Sequence, residues 1–155
     1  MINANNFNHL WYADIIVYFC KMTSSPPVVL FDGVCNLCNG AVQFIIKRDK
    51  KKQFRFASMQ GKAGHELLQK FDLPANDFNS FILFEDNKVY TRSTAALRIA
   101  KYMGGGWKLL YGLMIIPRFI RNAVYNVIAK NRYKWFGKKD ECMIPAPELK
   151  DRFLD

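Results

Sequence analysis

The sequence predicts an α/β fold, a mixed sheet with helices on its faces, followed by a helical extension. Three observations point there. Apolar runs of strand length alternate with helix-length segments in the order β-α-β-α-β-β-α. A two-residue turn, Asp86-Asn87, joins the last two strands as a hairpin. Gly104-Gly105-Gly106 closes the pattern, and an aromatic-rich third of the chain follows.

Taken in order, residues 1–27 read as an N-terminal extension and linker. Asn3, Asn5, Asn6 and Asn8 are poor helix formers, and Ser24-Ser25-Pro26-Pro27 is a linker composition. Residues 1–21 are expected to be poorly ordered and dispensable, with Met22 as an alternative start; a short helix from Leu10 to Lys21 is the competing reading. Val28–Phe31 is a short apolar, β-branched strand. A helix runs from Cys35 to about Asp49, and Phe54–Ala57 is the second strand, with Phe54 and Phe56 on one face. Gly61 to Phe71 is a second helix, ended by Pro74. Ser80–Glu85 and Lys88–Thr91 form the hairpin. Ser93 is the expected cap of a helix through Ala100. Beyond the glycines, Trp107–Ile116 reads as helical, breaks at Pro117 and resumes from Arg118 to about Lys130. Ile120, Val124, Val127 and Ile128 form an apolar stripe on that last segment. A basic-aromatic stretch, Asn131 to Gly137, and a Pro-containing tail ending at Phe153-Leu154 complete the chain.

The chemistry-bearing stretch is Asp32-Gly33-Val34-Cys35-Asn36-Leu37-Cys38. A Cys-x-x-Cys pair sits where a strand hands over to a helix. The first sulfur falls in the opening turn, among unpaired backbone N–H groups and the positive end of the macrodipole. Such a position favours thiolate, the nucleophile of disulfide exchange. The second sulfur follows one turn later, within reach of the first.

At 155 residues the chain is long enough for one domain with a sizeable core. Its four cysteines, Cys20, Cys35, Cys38 and Cys142, are too few and scattered for a disulfide-scaffolded secreted module. A reducing, cytoplasmic compartment is expected. The net charge is +10, and between Lys101 and Lys139 there are nine basic residues and no acidic one. A second cluster comprises Lys47, Arg48, Lys50, Lys51, Lys52 and Arg55. Such surfaces suit an acidic protein, nucleic acid or an anionic membrane, or are simply solvated basic faces. Leu10–Cys20 has neither the basic flank nor the cleavage site of a signal peptide and is too short to cross a bilayer. Trp107–Ile128 is long enough, but Lys108, Arg118, Arg121 and Pro117 make it a buried or interfacial helix pair, so no transmembrane segment is expected.

The strand, the helix opened by Cys-x-x-Cys and the element order together resemble the thioredoxin/glutaredoxin fold. More closely, the chain resembles the DCC family of thiol–disulfide oxidoreductases, named for Asp-x-x-Cys-x-x-Cys. That motif is here Asp32, Cys35 and Cys38. The family's C-terminal stretch is matched by Tyr125, Ala129-Lys130-Asn131-Arg132-Tyr133, Gly137 and Cys142. The resemblance covers about Val28 to Cys142 and implies disulfide reduction or exchange without naming a substrate. It does not extend to the cis-proline that precedes the third strand in thioredoxins. Asp77-Phe78-Asn79-Ser80 holds no proline, and Pro74 is too early.

Each candidate has a competing reading. Cys35 and Cys38 could be half of a structural zinc site, but only Cys20, Cys142, His9 and His65 remain as ligands, with no second close pair. Redox chemistry is preferred, with Cys35 attacking and Cys38 resolving. Asp32 either takes the proton from Cys38 during resolution or orders the loop as an Asx-turn. Its strand-end position is also similar to the first motif of haloacid-dehalogenase-type phosphatases, but Val34 stands where that chemistry needs a second acid. Cys142, beside Asp140-Glu141, reads as structural. Arg132 and Tyr133 match the family motif without a role that local sequence reveals.

Residues 28–105 are thus expected to form a thioredoxin-like domain, with residues 106–155 a helical extension packed on it. The expected activity is thiol–disulfide exchange through Cys35 and Cys38, with Asp32 in support and no bound cofactor. Its partners would be a disulfide-containing protein or small molecule, an electron donor outside the chain, and an acidic partner for the basic face. The alternative is a non-catalytic binding module that docks through its basic extension.

Overall fold

A computed structural model describes residues 26–74, 80–139 and 147–154. The proposed extension over residues 1–21, Cys20, Cys142 and the stretch Asp77-Phe78-Asn79 lie outside the described residues. Four short strands carry the sheet: β1 (Val28–Phe31), β2 (Arg55–Ser58), β3 (Ile82–Glu85) and β4 (Lys88–Thr91). Helices α1 (Asn36–Arg48), α2 (Lys62–Lys70), α3 (Arg92–Tyr102) and α4 (Arg118–Phe136) are joined by 3-10 segments Gly105–Ile115 and Pro147–Arg152.

The strand order is β2-β1-β3-β4. β1 pairs parallel with β2 and antiparallel with β3, and β3 and β4 form the hairpin. This mixed sheet with flanking helices is a thioredoxin-like arrangement. Asp86 and Asn87 both take positive φ, as a two-residue hairpin turn of the favoured hand requires.

Alternation along the strands sorts the core into two layers. Val29, Phe31, Phe54, Phe56 and Leu83 face α1 and α3, where Val42, Ile45, Ala95 and Ile99 meet them. Leu30, Ala57, Ile82 and Phe84 point the other way and pack with Leu68 of α2. Full burial of Phe31, Phe54 and Phe56 contributes about 1.5–3 kcal/mol per side chain. Cys35 and Cys38 belong to the first layer, so the reactive pair is set in the core rather than on a loop tip.

Gly64 lets α2 press against the end of β2. A Cβ there would lie 1.9 Å from the Ser58 carbonyl oxygen, a backbone atom that cannot step aside. Gly64→Ala should therefore cost roughly 3 kcal/mol or more, despite alanine's better helix propensity. A shift in the urea midpoint checks this; an unchanged midpoint would show that α2 can slide on the sheet.

Two expectations change. Ser93 lies inside the first turn of α3 rather than capping it, because its hydroxyl donates to Asn122 Oδ1 of α4 at 2.6 Å. The segment expected as a helix over Trp107–Ile116 winds instead as a 3-10 helix, Gly105–Ile115, with Ile116 as its C-cap, and buries no residue fully. The tail returns to the sheet: Leu154 N–H donates to the Phe56 carbonyl at 2.9 Å, and Phe153 packs on Phe31 and Phe56. Arg152 pairs with Asp49, whose carboxylate also accepts the N–H groups of Gln53 and Phe54.

Candidate active site

The loop from β1 to α1 is shaped by its own side chains. Asp32 Oδ1 accepts the Val34 N–H at 3.2 Å, forming an Asx-turn, and the Cys35 N–H reaches the Asp32 carbonyl at 3.3 Å. Cys35 is the N-cap of α1, and its carbonyl accepts the first helical bond, from Asn39 N–H at 2.9 Å. Asn39 Nδ2 donates back to the Gly33 carbonyl at 2.9 Å, closing the loop. Cys38 follows one turn into the helix, hydrogen-bonded to Cys35.

Both sulfurs are withdrawn from solvent: Cys35 is 0% exposed and Cys38 6%. Burial, then the hydrogen bond and negative charge of Cys35, push the Cys38 thiol far above the usual thiol range. The Arg132 guanidinium pulls the other way, and Asp32 adds a further upward push. Cys38 therefore holds its proton at neutral pH.

Asp32, Cys35 and Cys38 are brought together, and two residues from the far end of the chain join them. Arg132 donates to Asp32 Oδ2 at 2.8 Å, and the Tyr133 hydroxyl donates to the same oxygen. Gln60 Nε2 donates to Asp32 Oδ1 at 2.9 Å, while its Oε1 accepts the Gly33 N–H at 3.0 Å. Burial raises the Asp32 carboxyl, but hydrogen bonds from Tyr133, Gln60, the Val34 N–H and Arg132 outweigh it and hold the group below the ordinary carboxylate range. Asp32 is thus a buried anion enclosed by donors.

Past α4 the chain runs beside the cysteine loop. Asn36 N–H reaches the Gly137 carbonyl at 3.5 Å, Asn36 Nδ2 the Phe136 carbonyl at 2.9 Å, and Lys139 N–H the Val34 carbonyl at 2.8 Å. Cys35 and Lys138 face each other as an antiparallel bridge. Gly137 permits the turn: its φ is 79°, and a Cβ would lie 3.1 Å from Asn36 Nδ2. Lys139→Pro deletes the N–H that ties this strap to Val34. The loss of about 1 kcal/mol of local closure should speed alkylation of Cys35 by roughly fivefold. Peptide mapping by mass spectrometry gives the rate at Cys35 alone; an unchanged rate would mean the strap does not gate access.

Among the described residues no group of three or more His, Cys, Asp or Glu side chains is placed to hold a metal ion. His65 is exposed on α2.

The profile of the DCC1-like thiol-disulfide oxidoreductases matches residues 29–138, which contain the cysteine pair, Asp32, Arg132 and Tyr133. The chain belongs to this family. It is similar to the uncharacterized protein YuxK of Bacillus subtilis (strain 168), at 55% identity over 127 residues, 82% of this chain and 93% of that protein. It is also similar to a chloroplastic DCC family protein of Arabidopsis thaliana, at 40% identity over 117 residues, 75% of this chain and 68% of the relative. No solved structure matches the chain.

In this DCC1-like chain, the roles of Arg132 and Tyr133 come from contacts at separations of 100 and 101 residues, which no local pattern signals. Gln60 was also missed. Only the parallel pairing of β1 with β2, which sets Phe31 beside Ser58, brings it to the loop.

Proposed function

We propose that this chain is a cytoplasmic thiol–disulfide oxidoreductase in which Cys35 attacks a substrate disulfide and Cys38 resolves the mixed disulfide. One observation carries the reading: the two buried cysteines lie one turn apart at the start of α1, Cys35 as its N-cap and Cys38 hydrogen-bonded to it. In the first step the Cys35 thiolate forms a bond to one substrate sulfur and expels the other as a thiolate. Cys38 then gives up its proton, attacks the Cys35 sulfur and releases the second substrate thiolate. Two electrons pass to the substrate, leaving a Cys35–Cys38 disulfide that an external dithiol reduces. Asp32 serves as the fixed anion on which Arg132 and Tyr133 close the site. The family assignment supports the reaction class.

The test is turnover of a small disulfide with a dithiol reductant, alongside the reactivity of Cys35 towards a thiol probe across pH. Turnover lost in Cys35→Ser, with Cys35 reactive in the parent chain, supports the enzyme. An inert Cys35 and no turnover would leave a binding module.

A further inference from the structure

The apolar stripe of α4 is left open: Ile120, Val124 and Ile128 line a groove against α3 yet stay exposed, as does Val127. Tyr125, Asn122 and Arg132 make the inward contacts, accepting from Phe81 N–H at 3.1 Å, accepting from Ser93 and donating to Asp32. Val124, Val127 and Ile128 are left exposed. The preceding segment continues the strip: Leu109 is 82% exposed, Ile115 91% and Phe119 74%. A contiguous apolar strip of this kind marks an interaction surface. The groove, between α3 and α4, has a volume of about 300 Å³ and is lined on its other sides mainly by Leu97, Leu113 and Ile116.

Charge narrows the occupant. Lys108 precedes Leu109, Arg118 precedes Phe119, and no acidic residue occurs between Lys101 and Lys139. Lys108 also lines a second opening, a cleft of about 270 Å³ shared with Arg48, Lys50, Lys51 and Lys101. Among the described residues no carboxylate lines that cleft. Arg48 is steadied there, its guanidinium 3.5 Å from the centre of the Phe44 ring.

A second copy of the chain would set these cations against their own kind, with no acid in the segment to answer them. Nucleic acid would satisfy the cations but gain little from exposed aliphatic side chains such as Leu109 and Ile115. A bilayer with anionic headgroups satisfies both. No described helix is long and apolar enough to cross a membrane, so the contact would lie in the interface plane.

We propose that the face formed by Gly105–Ile115 and α4 docks on an anionic lipid bilayer. Leu109, Ile115 and Phe119 enter the acyl boundary, and the Arg48–Lys108 cleft takes lipid phosphates. This inference does not depend on the redox reading.

The test is co-sedimentation of the full chain with vesicles of phosphatidylcholine mixed with phosphatidylglycerol, and with vesicles of phosphatidylcholine alone. Binding to the mixed vesicles only, weakened by salt, is expected. Leu109→Ser/Ile115→Ser/Phe119→Ser should lower the partition coefficient by roughly tenfold or more. These side chains are exposed, so its melting temperature should hold. Lys108→Glu/Arg118→Glu, also at exposed positions, should lose binding to the anionic vesicles and provides the readout if the triple variant melts early. Failure to bind mixed vesicles, equal binding to both kinds, or unchanged binding in both variants would overturn the proposal. So would a dimer dissolved by the triple substitution, or an oligonucleotide bound in preference to vesicles.

Discussion

Cys38→Ser is expected to accumulate a mixed disulfide between Cys35 and its substrate, while Cys35→Ser turns over no disulfide above the uncatalysed background. The asymmetry follows from the two environments. Cys35 is the N-cap of α1, beside backbone N–H groups that the helix leaves without partners. Cys38 lies one turn further along the helix, where burial and its neighbour keep it protonated. Attack by Cys35 therefore comes first, and among the described residues only Cys38 is close enough to release the product. In the mixed disulfide the charge of Cys35 is gone, but burial still raises the Cys38 thiol, so its thiolate fraction is small at neutral pH and grows as pH rises. The resolution step should accelerate by roughly tenfold per pH unit across the neutral range. Single-turnover release of a chromogenic thiol measures it. Equal trapping by the two single variants would remove the assignment, and a flat pH profile would show that Cys38 is not the rate-setting proton.

The strands were legible because their signals are local. Val28–Phe31 is apolar and β-branched, and alternate residues on it and on β2 divide cleanly between the two core layers. Asp86-Asn87 fixed the hairpin through the backbone conformation those residues tolerate. The cysteine pair was legible because its meaning lies in spacing and in the strand-to-helix junction. The orientation of α4 was not. An apolar stripe is ordinarily buried, but here Arg132, Tyr125 and Asn122 find polar partners 100, 44 and 29 residues away, and those contacts choose the face. Ser93 was misread for the same reason: a hydroxyl that could cap its own helix serves a distant amide instead. Local propensity cannot weigh a partner that only the tertiary fold supplies.

Asp32→Asn separates the two roles of this carboxylate, and the roles predict opposite signs. Arg132 is 3% exposed, and neutralising Asp32 breaks a buried ion pair, at a cost of about 3–5 kcal/mol. The wild-type contribution has a defined pH window. The folded-state pKa of Asp32 is lowered, so its stabilisation is complete above the unfolded carboxylate value of 3.8 and drains as pH falls through the lower folded value. Asp32→Asn should be less stable than wild type at neutral pH and lose that part of the acid transition. Asp32→Asn/Arg132→Met removes both charges and should recover much of the loss in stability, but it also removes the Arg132 field that lowers the Cys38 thiol, so the kinetics are read on Asp32→Asn. As a proton acceptor, Asp32 would make resolution slower by roughly 10²–10⁴-fold when replaced. As an anchor, it contributes only its field, which raises the Cys38 thiol, so its replacement should leave resolution unchanged or faster at neutral pH. The anchor reading is the expected one, because a carboxylate enclosed by four donors and held below its ordinary range is a poor base. Slow resolution in folded Asp32→Asn, which keeps the Arg132 charge, would restore the base.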